Sequence, residues 1–177
     1  MANSNITKKA LATSLKELTK EKPLQKITIK DICVKSEMNR KSFYYHFKDK
    51  NDLINWIFDY DVEQIIKDNN KIETQRKVLE YLYENKSFYK KAFRQEDQNC
   101  LSIHIKQRMM PTIKARTEHI DEIKTFEFYT EFVADSIVYS IKKWLLFTDN
   151  VKGEEFFNQL ASCMRYTATN LYALYGY

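Results

Sequence analysis

Only two glycines, Gly153 and Gly176, and two prolines, Pro23 and Pro111, punctuate 177 residues. β-Hairpins and sandwiches consume Gly, Pro and Asn at their turns, so this supply argues against an all-β fold. The same scarcity excludes the glycine-rich loops that cradle nucleotide phosphates, since neither GxGxxG nor GxxxxGK[ST] occurs. What is left is an all-α chain with long helices and short connections. Its apolar share, 44%, supplies a core, and its charged share, 30%, a wetted surface. No apolar run reaches the roughly 18–20 residues of a membrane span. Met1–Lys9 holds no signal-type apolar stretch, and three scattered cysteines (Cys33, Cys100, Cys163) suit reduced thiols. These features point to a cytoplasmic protein with no membrane partner.

Charge divides the chain. Residues 1–50 hold twelve Lys and Arg against five Asp and Glu, a balance of +7. Residues 51–177 hold seventeen against nineteen, a balance of −2. A basic first third on a mildly acidic remainder fits contact with a polyanion, although a solvated lysine-rich face has the same charge count.

Periodicity supplies the elements. Ile6, Ala10, Leu11, Leu15 and Leu18 form one stripe on a helix over Asn5–Glu21, which Pro23 ends. Thr28-Ile29-Lys30-Asp31 reads as a capping box opening a helix over Ile29–Ser36, with Ile29, Ile32 and Cys33 inward. After Glu37-Met38, Asn39 is an N-cap for a helix over Arg40–Phe47. Phe43 and Phe47 bury one side of it, and polar and aromatic groups cover the rest. Asp49 and Asp52 make a second capping box, for a helix running to Asp68 with Leu53, Ile57, Tyr60 and Ile65 buried. Asn69-Asn70 breaks the pattern. Further helices are predicted over Glu73–Glu84, Phe88–Phe93 (capped by Ser87), Asn99–Arg116 (kinked or interrupted at Pro111), Glu122–Phe147 and Glu154–Tyr175.

The second and third helices with their tight turn make a helix-turn-helix. In that motif the second helix enters the major groove of double-stranded DNA. Arg40 and Lys41 can donate to guanine edges or phosphates, and Ser42 can serve either role. Tyr44, Tyr45 and His46 offer hydrogen bonds at the reach of the sugar-phosphate backbone, Tyr44 with its ring buried and its hydroxyl outward. Thr28, with the first amides of its helix, can hold a phosphate. Asn39 opens the recognition helix, and Lys50 lies where it can clamp the same strand.

The stretch Ile27-Thr28-Ile29-Lys30-Asp31-Ile32, followed by Asn39 through Leu53, resembles the TetR/AcrR signature: a Thr-capped helix, an aromatic-Tyr-x-x-Phe recognition helix, then Lys-x-x-Leu. The resemblance covers residues 6–54. Over Asn51–Tyr60 it extends to the regulators of dihydroxyacetone-kinase operons. It implies an N-terminal three-helix DNA-binding domain, residues 1–50, and a C-terminal helical bundle for ligand binding and dimerisation, residues 51–177. It also implies a homodimer on a pseudo-palindromic operator, acting by default as a repressor, or as an activator depending on where the operator lies, that a small ligand releases or modulates. One position departs from the pattern. Glu37 stands in the turn where the family usually has Gly, and a left-handed backbone there costs Glu roughly 1 kcal/mol.

Within that frame, the candidate ligand lining is Trp56, Tyr60, Tyr81, Phe88, Tyr89, Phe93, His104 and Phe132, an aromatic set of the kind that encloses a small organic effector. The candidate dimer face is Val133, Ile137, Ser140 and Trp144 with Leu160, Met164, Ala168 and Leu171, which suits a four-helix bundle between two protomers. An alternative keeps the same head and gives the C-terminal domain a partner sensor protein and no small molecule. Cys100 and His104 share a helix face and His119 follows, but a structural zinc needs four ligands, so no metal or cofactor is expected. No GxSxG elbow occurs, and no enzyme is expected.

Overall fold

The computed structural model describes residues 2–66, 71–117 and 126–175, with side chains described for 4–66, 72–115 and 127–167. Every regular element among them is helical. The order is α1 (Ala2–Glu21), a single 3-10 turn (Leu24–Lys26), α2 (Ile29–Lys35), α3 (Arg40–His46) and α4 (Lys50–Ile65). Then come α5 (Lys71–Glu84), α6 (Lys86–Ala92), α7 (Leu101–Thr117), α8 (Phe126–Phe147) and α9 (Gly153–Tyr175). No helix among the described residues is long and apolar enough to cross a membrane.

Local chemistry sets the first boundaries where the sequence places them. Thr28 Oγ1 accepts from the Asp31 amide at 3.2 Å and Asp31 Oδ2 accepts from the Thr28 amide at 2.8 Å, a closed capping box. Asn39 Oδ1 accepts from the Ser42 amide at 2.8 Å and starts α3. Asp49 Oδ1 accepts from the Asp52 amide at 2.8 Å and starts α4. Some boundaries differ. α6 begins at Lys86 behind Asn85, which makes no side-chain cap, so Ser87 is the second helical residue and caps nothing. α7 continues through Pro111 to Thr117. The expected extension of α4 to Asp68, the Asn69-Asn70 break, His119 and the start of α8 at Glu122 lie outside the described residues.

α1, α2 and α3 pack on one another, and α1 also touches α4 and α6. Leu11, Leu15, Leu24, Ile32, Phe43 and Leu53 are fully buried there. Farther along, α7 lies along α8 and α5 along α9. Tyr89, Phe93 and Leu145 are fully buried in that part. At the α5–α9 crossing a Cβ on Gly153 would sit 2.4 Å from the Glu80 backbone nitrogen and 2.5 Å from its Cα, so only glycine lets the two backbones meet. The α9 amide of Glu154 then donates to Glu80 Oε2 at 3.0 Å.

Candidate nucleic-acid interface

α2 and α3 meet through a turn that ends α2 at Ser36. Glu37 has φ +55°, the one non-glycine residue with positive φ among the described residues. The Met38 amide closes the turn by donating to the Cys33 carbonyl at 2.8 Å. The turn keeps the left-handed form expected at this position, with the strain carried by Glu37.

The recognition helix buries Phe43 and leaves nearly everything else outside. Arg40, Lys41, Tyr44 and Tyr45 are exposed, and Ser42 and His46 half-buried. Tyr44 corrects an expectation. Its ring is 56% exposed and rests edge-on against Phe43 at 5.6 Å, because Phe43 and Phe47 already fill the core side. Tyr45 is 82% exposed and meets the His46 ring edge-on at 4.8 Å. Burial, and then the nearby Lys8 charge, pull His46 below the usual imidazole value, so its ring is neutral at pH 7. Ser42 Oγ donates to Asn39 Oδ1 at 3.2 Å, which leaves the Asn39 amide NH2 as a donor. Thr28 is exposed, and its hydroxyl accepts from the Asp31 amide. The Asp31 carboxyl is held at about 2, first by the Thr28 amide and then by Lys22, whose ammonium is 2.9 Å away.

Lys50 sits differently. Its ammonium donates to the Leu24 carbonyl at 2.7 Å and to the Ile27 carbonyl at 3.0 Å. Two of its three protons are thereby committed inside the protein, and burial lowers its affinity for the third.

The other candidates divide. Trp56 and Tyr60 stack on each other at 5.2 Å under Lys8 and Lys9. Tyr81 and Tyr89 meet at Asp61, Phe88 lies edge-on to Tyr89, and Phe93 is buried. His104 Nε2 lies 2.8 Å from Asp59 Oδ1, which also takes Arg108 at 2.9 Å. Phe132 is apart from all of these, 56% exposed on α8 and stacked on Phe128. The eight therefore do not line one space. Two polar surface grooves, one along the start of α9 and one between the start of α4 and residues 94–99, contain none of them.

Among the dimer candidates, Trp144 is buried. Its ring lies parallel to Phe156 at 4.4 Å and its Nε1–H donates to the Val151 carbonyl at 2.9 Å, so it faces inward and not toward a second chain. Val133, Ile137, Ser140 and Leu160 are half-buried and Met164 exposed. The side chains of Ala168 and Leu171 lie outside the described residues. The open face of α8 instead carries Phe128, Phe132, Tyr139 and Phe147.

Sequence reasoning missed the seam between α1 and the later helices. Asp61 Oδ2 accepts from Lys16 Nζ and from the Tyr89 hydroxyl, each at 2.8 Å. Burial first, then the Asp61 charge, push the Tyr89 phenol well above its usual value, so it remains a donor. Lys91 Nζ donates to the Thr19 carbonyl across the same seam. A signal was present: Leu53, Ile57 and Asp61 fall on one row at four-residue steps, which puts a carboxylate on a core-facing stripe.

Residues 69–166 match the family described as "Transcriptional regulator C-terminal region", and residues 13–57 the one described as "Bacterial regulatory proteins, tetR family". A curated relative, the HTH-type dhaKLM operon transcriptional activator DhaS of Lactococcus lactis subsp. lactis, is 33% identical over 97 residues, 52% of each chain. The chain thus spans about half the length of the curated relative it matches. A solved structure titled "Dihydroxyacetone kinase operon activator DhaS" superposes with a TM-score of 0.64 at 21% identity, covering 90% of this chain and 94% of that one. At that identity the likeness shows a shared fold.

Proposed function

The chain belongs to the TetR family of transcriptional regulators, and from that premise we propose how its parts divide the work. Residues 1–50 form the operator-binding domain and residues 51–177 the dimerising and sensing domain. Arg40, Lys41 and Ser42 read base edges at the start of α3, and Thr28, Asn39, Tyr44, Tyr45 and His46 hold the backbone on either side. The observation that carries this reading is the polar and aromatic outer surface of α3, which a buried Phe43 and the Asn39 cap anchor, next to an α2 closed by the Thr28–Asp31 capping box.

Fluorescence anisotropy on a duplex from the chain's own upstream region tests it. Arg40→Ala and Tyr44→Phe should weaken binding with the far-UV helix signal unchanged, and affinity should fall steeply with salt as phosphate contacts release counterions. Unchanged affinity in both variants would remove this face as the interface.

A two-fold operator needs two heads, and a homodimer supplies them. The exposed row Phe128, Phe132, Tyr139 and Phe147 on α8, with Met164 on α9, supports a four-helix interface turned slightly from the face first expected. As to sign, repression is the family's common mode, whereas both relatives above are named activators, one of a dhaKLM operon and the other of a dihydroxyacetone kinase operon. That favours activation of such an operon here, and a reporter under the neighbouring promoter reads it directly.

For the effector, a small molecule among the α5–α7 aromatics is one reading and a partner sensor protein the other. The exposed α8 row favours the second if dimerisation does not consume it. Phe132→Glu separates them by sedimentation: loss of the dimer assigns the row to self-association, and an intact dimer leaves it for a partner.

A further inference from the structure

Lys50 opens α4, four residues after α3 ends at His46, so its Cα is fixed to the end of the recognition helix by covalent chain. Its ammonium crosses to the connector between α1 and α2, where it meets the carbonyls of Leu24 and Ile27. Leu24 and Ile27 are buried, and Ile27 directly precedes the Thr28–Asp31 capping box that starts α2. One charged group therefore ties the entry of the helix-turn-helix to its exit. Charge-assisted hydrogen bonds to two carbonyls are the stronger kind, and removing the ammonium leaves the Ile27 carbonyl without a described donor. Nothing else described bonds to either of these two carbonyl oxygens except the turn's own Ile27 amide, which donates to Leu24 at 3.2 Å.

We propose that Lys50 is a positioning residue for operator recognition: it sets the placement of α3 against the start of α2 and does not clamp a phosphate. The proposal rests on the DNA-binding reading above. It distinguishes two kinds of contribution that differ in what salt does to them. A lysine on a phosphate releases a counterion, so its loss lowers the slope of log affinity against log salt by about 0.9 and weakens all DNA alike. A lysine that positions the reading head releases none, and its loss costs specific binding alone.

The test measures salt slopes and affinities for operator and for unrelated duplex in Lys50→Met, which keeps the aliphatic stem and drops the charge. The expected result is a fall of about tenfold or more for operator, unrelated duplex within twofold, and an unchanged slope for both. Lys50→Arg, which still reaches carbonyls, should restore most operator binding. A slope lower by about 1.8, two lysines per dimer at about 0.9 each, with equal loss on both duplexes would overturn the proposal in favour of a phosphate clamp. Unchanged operator affinity would overturn it in favour of a purely structural lysine. Lys50→Gln, whose amide reaches one carbonyl, serves in the same assay where the Met variant does not fold. Arg40→Ala measured alongside separates the two readings. If Arg40→Ala binds as the native chain does, the interface itself is misplaced, whereas a defect in Arg40→Ala with none in Lys50→Met removes only the positioning role.

Discussion

α2 and α3 are seven residues each, and side chains three residues away in sequence cap α2, α3 and α4 in turn. α8 and α9 run to 22 and 23 residues, and the carboxylate at the start of α9 comes from Glu80, 74 residues earlier. The reading head is thus specified by neighbours along the chain, and the far bundle by neighbours across space. Short helices are marginal on their own, so the head depends on caps and on a few fully buried side chains. Long helices tolerate loose ends but depend on crossings that fit.

The largest expected effect is in the head. Phe43→Ala removes a fully buried ring at the centre of α3 and should cost about 4 kcal/mol. Calorimetry then breaks or keeps the comparison. A separate early transition would mean that head and bundle fold independently, and a single lowered transition that the Asp61 seam couples them.

Gly153→Ala should cost about 3 kcal/mol by forcing α5 and α9 apart. Operator affinity per folded protein should hold if the crossing serves only the bundle. Asp61→Asn weakens the bonds from Lys16 and Tyr89 and should cost about 2 kcal/mol. It should also merge less of the two regions' unfolding, which hydrogen exchange in α1 against α6 would reveal. Glu37→Gly relieves the left-handed strain and should gain about 1 kcal/mol in urea unfolding. Removing that carboxylate should also raise affinity for unrelated DNA.

The smallest effect is a pH dependence. Asp31 is held at about 2 in the folded chain against an ordinary 3.8. The stability it contributes is full above about pH 4 and is lost as pH falls toward 2. Asp31→Asn should therefore unfold more easily than the native chain at pH 6, with the gap closing by pH 2.

The head was legible because its signals are local. Thr28 and Asp31, Asn39, and Asp49 and Asp52 each name a helix start by residue type and spacing, and Glu37 marked the turn. The resemblance to a family rested on these same positions. Burial direction was harder. The ring of Tyr44 and the tail of Lys50 are long enough to go either way, and their choice follows from which space Phe43, Leu24 and Ile27 leave open. In the bundle, Trp144 lay on a row that looked free, because nothing in its own helix announces that Phe156 and Tyr83 close over it. The α5–α9 pairing hung on Gly153, whose meaning is the distance to a backbone 73 positions earlier. That information exists only after the chain has folded.

The chain holds two tryptophans, and they fall on opposite sides of this divide. Trp56 lies against Phe47 at the edge of the reading head, and Trp144 lies between aromatic rings in the bundle. Each emits from its own surroundings: one half-exposed beside lysines, the other enclosed. Replacing either by phenylalanine leaves a protein whose intrinsic fluorescence reports a single region. With no attached dye, a pair of such variants can follow whether a signal arriving at the bundle reaches the helices on the DNA, and in what order.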